Sequence, residues 1–150
     1  MLVWRICRKP YAALDGRGGL HASGRWHTRG RPVVYTSQSL ALSALELLVH
    51  VDRDLLPSDL VRVEIEVPDE LEVSQVLVED LPGNWHSYPA PSELQELGDA
   101  WLVGNRTPVL RVPSAATREE FNFLLNPRHA DAQRIEVVSQ ARFSFDSRLA

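Results

Sequence analysis

Cysteine occurs once in the 150 residues, as Cys7. No internal disulfide can form, and a zinc cluster built on several thiolates is excluded. The five histidines are scattered, and no metal site is expected from them. No apolar run approaches the roughly 20 residues a membrane-spanning helix needs. Met1-Leu2-Val3-Trp4-Arg5 is also too short and too soon charged for a signal peptide. The expectation is therefore no membrane association and a cytoplasmic compartment. Lysine is almost missing as well: Lys9 stands alone among 16 basic residues, so positive charge is carried by guanidinium groups, which fork onto carboxylates and phosphates. Missing too are a P-loop, a Gly-x-Gly-x-x-Gly after a strand, a Gly-x-Ser-x-Gly elbow and a His-Glu-x-x-His pair.

What is present fits one domain spanning residues 1–150, with 44% hydrophobic and 24% charged residues. A chain of this size buries roughly two thirds of its unfolded surface and holds a core without staples. The net charge of −4 hides an asymmetry. Residues 1–34 carry seven basic side chains against Asp15, a net of +6, while residues 35–150 carry nine basic and 19 acidic ones, a net of −10. A basic quarter on an acidic body suits a small anion, whereas a long polyanion would be repelled, so direct nucleic-acid binding is not expected.

Leu2–Cys7 reads as a first strand closed by Pro10, and the glycines at 16, 18 and 19 read as loop. Ser23–Pro32 has neither a helical nor a strand period and is expected to be an ordered loop. Val33–Thr36 reads as a buried strand, and Leu40, Ala44, Leu47, Leu48 and Val51 recur at helical spacing after a Ser37 or Ser39 cap. Val61–Val67 alternates as an antiparallel strand with one wet face. A short helix capped by Ser92 and running through Leu94, Leu97 and Trp101, then strands at Val109–Val112, Phe121–Pro127, Ile135–Val138 and Arg142–Phe145, complete the pattern. Residues 70–91 carry no assignable period. The expected architecture is α+β, with two small, mostly antiparallel sheets flanked by helices.

Chemistry concentrates between Gly24 and Glu46. Arg25, Arg29 and Arg31 on a glycine-bearing loop can wrap an anion such as a pyrophosphate. Tyr35 at a strand end offers an aromatic face to a flat or cationic ring. Glu46 on the following helix can accept from a sugar hydroxyl and offset positive charge on a sugar ring. Each has a plain alternative: a surface Arg, a core aromatic, a flank of an amphipathic helix. A module that binds a nucleotide or an RNA end without catalysis is a further alternative. Asn122, Asn126 and His129 read either as cleft residues or as turn formers, and Asn126 is carried as a candidate ligand-binding residue. Cys7 and the Phe143/Phe145 pair read as packing, and His50 as a helix-end residue.

The run Ser23-Gly24-Arg25-Trp26-His27-x-x-Gly30-x-x-Val33-Val34-Tyr35, then Ala41-Leu42-Ser43-Ala44-Leu45-Glu46-x-Leu48-Val49-His50, Val109-Leu110-Arg111-Val112-Pro113-Ser114 and Asn122-x-x-x-Asn126-Pro127-x-His129 resembles the RES domain family. His27 stands where many members carry Asn. The resemblance covers nearly the whole chain. It implies a fold similar to the diphtheria-toxin-like ADP-ribosyltransferases, with NAD⁺ as substrate and no cofactor. It implies a toxin that depletes NAD⁺ by breaking the nicotinamide–ribose bond, with water or inorganic phosphate as acceptor, or that transfers ADP-ribose to a protein. By the same resemblance Arg25 clamps the pyrophosphate or adjoining ribose, and Tyr35 stacks on nicotinamide. Glu46 holds the nicotinamide ribose and stabilises an oxocarbenium-like transition state. Ser114 bonds in the same pocket; with no His–carboxylate relay beside it, it is not expected to be a covalent nucleophile. The partners implied are a cognate Xre-type helix-turn-helix antitoxin and, by analogy, a second copy of the chain.

Overall fold

A computed structural model of the chain describes residues 1–149. The elements run β1 (Leu2–Arg8), α1 (Gly18–His21), β2 (Val34–Ser37), α2 (Leu40–Leu48), β3 (Leu60–Glu66), β4 (Val73–Gln75), α3 (Ser92–Gly104), β5 (Val109–Pro113), β6 (Phe121–Leu125) and β7 (Glu136–Arg142). The strands lie in the order β4-β5-β6-β2-β1-β3-β7, antiparallel throughout except for the parallel β4–β5 pair. None of the described helices is long and apolar enough to cross a membrane.

The expectation of two sheets is corrected to one seven-stranded sheet. The sheet nevertheless has a seam. β1 pairs with β3 along its whole length, from Leu2 opposite Glu66 to Arg8 opposite Leu60, but meets β2 at one register pair, Trp4 with Ser37. Where that ladder lapses, Nη1 of Arg5 donates to the Tyr35 carbonyl at 3.2 Å, supplying a donor the missing strand bonds would have provided.

Strand alternation assigns the two faces. Val3, Val34, Val63, Ile65, Val109, Phe123 and Leu125 are buried together on one face. On the other, Leu110, Val112 and Leu124 pack with Trp26, Trp85, Leu94 and Trp101 beneath α3. Because Tyr35 lies opposite Leu124 and Ser37 opposite Asn122, these side chains share the second face. Tyr35 packs against that cluster, and Asn122 lies toward the seam. The helix α2 crosses the seam on this side. Ser39 caps it, its hydroxyl accepting from the Leu42 amide at 3.0 Å, and Ser43 ties it down by donating to the Trp4 carbonyl at 2.9 Å.

Three smaller expectations change. Ser92 does not cap α3: Pro91 precedes the helix without a side-chain bond, and Asn105 ends it in the left-handed conformation at φ 52°. The two C-terminal strands are one, β7, paired with β3 from Glu136 to Arg142. This edge strand is largely exposed on both faces, so backbone pairing runs through Ser139-Gln140-Ala141 where hydropathy carries no signal. Phe143 and Phe145 lie beyond it and pack edge to face at 5.0 Å.

Candidate functional site

A cleft of about 410 Å³ opens over the seam, within the roughly 300–1,000 Å³ usual for small-molecule sites. Trp4, Arg5 and Ile6 of β1, Tyr35 and Ser37 of β2, and Asn122 of β6 form its floor. Glu46 and Leu47 come from α2, His50 from the turn just after it, and Gly24 and Arg25 from the loop before β2.

Glu46 is held through one carboxylate oxygen. Oε1 accepts from Ser114 Oγ at 2.6 Å and from Asn122 Nδ2 at 2.8 Å. Among the described residues no hydrogen bond reaches Oε2, so one oxygen is anchored while the other is left for a ligand. Ser114, expected to touch a bound molecule, is instead wholly buried at 0% exposure beneath Glu46. Its oxygen accepts from the Ala116 amide at 3.1 Å and the Thr117 amide at 3.4 Å, which fixes the hydroxyl proton on the carboxylate.

The loop Ser23–Arg31 is irregular, yet each turn of it is fastened. A bridge pairs Gly24 with His27. Arg25 extends across the cleft wall, and its Nη1 donates to the Trp85 carbonyl at 2.9 Å and the Ser87 carbonyl at 3.0 Å. Its Nε and Nη2 have no partner among the described residues, so the fork keeps donors for an anion. Burial pulls the guanidinium below its ordinary value, opposed by the Glu46 carboxylate and Tyr35, and it stays a cation at physiological pH.

Tyr35 is fixed by its hydroxyl. That oxygen accepts from the Trp26 amide at 3.2 Å and lies 2.7 Å from His27 Nδ1, while His27 Nε2 lies 2.9 Å from the Ala22 carbonyl. A carbonyl only accepts, so Nε2 carries the proton, Nδ1 is the acceptor and the phenol donates to it. Burial pushes the phenol up and keeps it protonated. A Cβ on Gly24 would stand 2.6 Å from the Tyr35 hydroxyl, so glycine is required for this approach.

His27 is 3% exposed, and burial lowers its pKa below the ordinary 6.5, outweighing the raising effects of the Ala22 carbonyl and Asp99. The unfolded chain takes up this proton near pH 6.5 while the folded chain resists it, so stability falls as pH drops below about 6.5. Urea unfolding between pH 7.5 and 5.5 is expected to show this loss, and His27→Asn, which cannot titrate, is expected to flatten it. An unchanged slope in that variant would assign the pH dependence elsewhere.

Helix α3 backs the loop. Gln95 Nε2 donates to the Gly24 carbonyl at 3.0 Å and the His27 carbonyl at 3.3 Å. Asp99 accepts from the Thr28 amide at 2.9 Å and its hydroxyl at 2.6 Å. It also lies 3.2 Å from Arg31 Nε. Arg31 is thus spent on the helix, and neither it nor the exposed Arg29 lines the cleft.

Arg25, Tyr35 and Glu46 are therefore brought to one cleft, with Ser114 behind Glu46. Asn126 is not. It is 1% exposed, donates to Asn105 Oδ1 at 3.0 Å and accepts from the Arg128 amide at 3.1 Å, forming the turn its Pro127 neighbour suggested. His129 likewise accepts from the Asp131 amide at 3.0 Å, outside the cleft. His50, read as a helix-end residue, lines the cleft and lies 6.4 Å from the Tyr88 ring. Arg5, Ser37, Gln95 and Asp99 carried no motif. Only the three- and four-residue spacing of Gln95, Gly98 and Asp99 on one helical face could have flagged the α3 set.

Comparison with known proteins gives consistent names. The family description RES domain matches residues 2–146. A Toxin Res of Pseudomonas putida is 40% identical over 151 residues, covering 99% of each chain. A Toxin Res of Photorhabdus laumondii is 37% identical, covering 99% of this chain and 97% of that one. A Prs ADP-ribosylating toxin of Sphingobium sp. is 38% identical, covering 97% and 94%. A chain in the crystal structure of the M. tuberculosis MbcT–MbcA toxin–antitoxin complex shares the fold, with TM-score 0.79 at 16% identity, over 95% of this chain and 84% of that one.

Proposed function

Because the chain belongs to the RES domain family, we propose that it is the toxin of a toxin–antitoxin pair that consumes NAD⁺ by breaking the nicotinamide–ribose bond. The observation that carries this reading is the cleft itself, where a half-free Arg25 fork, a pinned Tyr35 ring and a Glu46 with one free oxygen converge.

The chemistry asks little of the protein. The pyridinium of NAD⁺ is already a good leaving group: the C1′–N bond breaks, nicotinamide departs neutral with the electron pair, and positive charge spreads over the ribose. Glu46 Oε2 offsets that charge, the Arg25 fork holds the pyrophosphate or the ribose beside it, and Tyr35 gives nicotinamide a flat surface. Water then adds at C1′ with loss of a proton, or inorganic phosphate adds in its place. An ADP-ribosyltransferase-like ancestry accounts for such a site. Exposed Leu45 on α2, Val49 at its C-cap and Tyr88, whose ring lies 6.4 Å from the cleft residue His50, offer apolar surface suited to a covering antitoxin. An Xre-type identity for that antitoxin, a homodimer and a cytoplasmic location belong to the same reading.

Purified protein incubated with NAD⁺, with and without phosphate, is expected to release nicotinamide. Intact dinucleotide in both reactions, beside an active control enzyme, overturns the proposal. Arg25→Lys is expected to raise KM about 10- to 100-fold with a smaller change in kcat. One ammonium cannot serve the Trp85 and Ser87 carbonyls and fork onto an anion together.

The Sphingobium relative's name favours a second acceptor, a protein side chain. NAD⁺ labelled in its adenosine half would then leave label on a macromolecule, whereas hydrolysis or phosphorolysis leaves it in small products.

A further inference from the structure

We propose that Ser37 is a positioning residue for Glu46, acting through the Asn122 amide. The inference deepens the NAD⁺-cleaving reading of the same cleft and rests on it for its kinetic test. Its starting point is the direction of the hydrogen bonds. An ionised carboxylate only accepts, so the atom that Asn122 turns toward Glu46 Oε1, 2.8 Å away, is its NH₂ group. The amide oxygen then faces the other way, 2.7 Å from Ser37 Oγ. An amide oxygen also only accepts, so Ser37 donates. The order Ser37 to Asn122 to Glu46 is fixed by the chemistry of its end.

The fold supplies the alignment. Ser37 and Asn122 are register partners on β2 and β6, so their side chains stand side by side on the cleft face. Ser37 is 4% exposed and is also the β2 residue that meets Trp4 at the seam. The two arms that grip Oε1 differ in their own support. Ser114 is fixed by backbone amides, whereas the Asn122 side chain has Ser37 as its second partner among the described residues. Without the Ser37 hydroxyl the Asn122 oxygen is unpaired at the cleft floor, and the amide is free to rotate toward water or ligand. Glu46 then loses one of two restraints and Oε2 its fixed aim. Charge on the ribose develops only as the bond opens, so misdirection of Oε2 slows turnover and leaves substrate binding largely intact.

Ser37→Ala, Asn122→Ala and the double variant, each confirmed folded by its thermal midpoint, are compared in steady-state NAD⁺ cleavage. Ser37→Ala is expected to lower kcat about 10-fold with KM within about 2-fold, and Asn122→Ala about 10- to 100-fold. The double variant is expected to match Asn122→Ala alone, because Ser37 has nothing left to act through. Losses that multiply, or a Ser37→Ala kcat equal to that of the native enzyme, overturn the relay. A second arm does not depend on the substrate. In the native protein the Asn122 side-chain amide protons are expected to exchange slowly by NMR, and in Ser37→Ala to shift and exchange faster. If the native protein leaves NAD⁺ intact, the functional reading fails while this arm still decides the relay. Asn122 amide signals that exchange freely in the native protein, or that are unmoved by Ser37→Ala, overturn it.

Discussion

Glu46→Gln is expected to lower kcat for NAD⁺ cleavage about 1,000-fold, with KM nearly unchanged and the thermal midpoint close to native. The substitution is unusually clean because of how Glu46 is held. Ser114 and Asn122 both donate to Oε1, and the glutamine carbonyl oxygen can take both bonds in the same place. The amide nitrogen then occupies the position of Oε2, so shape and anchoring persist while the negative charge disappears. A single group that meets charge developing in the transition state typically contributes 10²–10³ in rate. Glu46→Ala is a poorer probe, since it leaves the Asn122 amide and the Ser114 hydroxyl without their acceptor. A Glu46→Gln enzyme retaining more than about a tenth of native kcat would remove the carboxylate from the chemistry. A large rise in KM with kcat preserved would reassign it to substrate binding.

The parts of the cleft differ in how far their residues announced them. Arg25, Tyr35 and Glu46 were legible because each lies where local rules are strong: a glycine-bearing loop, the end of a β-branched strand, the middle of a capped helix. Tyr35 and Glu46 are eleven residues apart, a strand end and two helical turns, so sequence distance maps onto space. Ser37 and Asn122 are 85 residues apart, and their pairing exists only through the β2–β6 register, which no local pattern encodes. The same holds for the seam. Alternation in β1 and β2 predicts that each is a strand, but not that their shared ladder stops after Trp4 and Ser37. The one remaining pair, Trp4 with Ser37, joins what reads as two sheets into one, and the lapse beside it leaves the opening. Asn126 is a different case. The sequence reads it either as a ligand candidate or as a turn former, and its side chain serves the turn that ends β6.

Gly98→Ala is expected to be the most damaging single-methyl change in the protein, although Gly98 lies on α3 and does not itself line the cleft. Glycine inside a helix ordinarily costs stability, and alanine there would add about 0.5–1 kcal/mol. Here the sign reverses. A Cβ on Gly98 would overlap the Trp26 carbonyl oxygen and stand 2.7 Å from its carbon, both main-chain atoms that cannot turn aside. Either α3 or the loop must move. The loop is the weaker party, since Gln95 and Asp99 hold it by hydrogen bonds while α3 is locked by Leu94 and Trp101 in the core. Overpacking of a close contact typically costs 1–3 kcal/mol, and a backbone clash lies at or above the top of that range. A loss of about 3 kcal/mol corresponds to a fall in thermal midpoint of about 10 °C for a chain of this length. The functional loss is expected to exceed the thermal one. Displacing Trp26 moves Arg25 beside it and removes the amide that fixes the Tyr35 hydroxyl, so KM rises even at temperatures where the variant is folded. Gly98→Ala with native stability and native KM would mean that α3 does not set the position of the Arg25 loop.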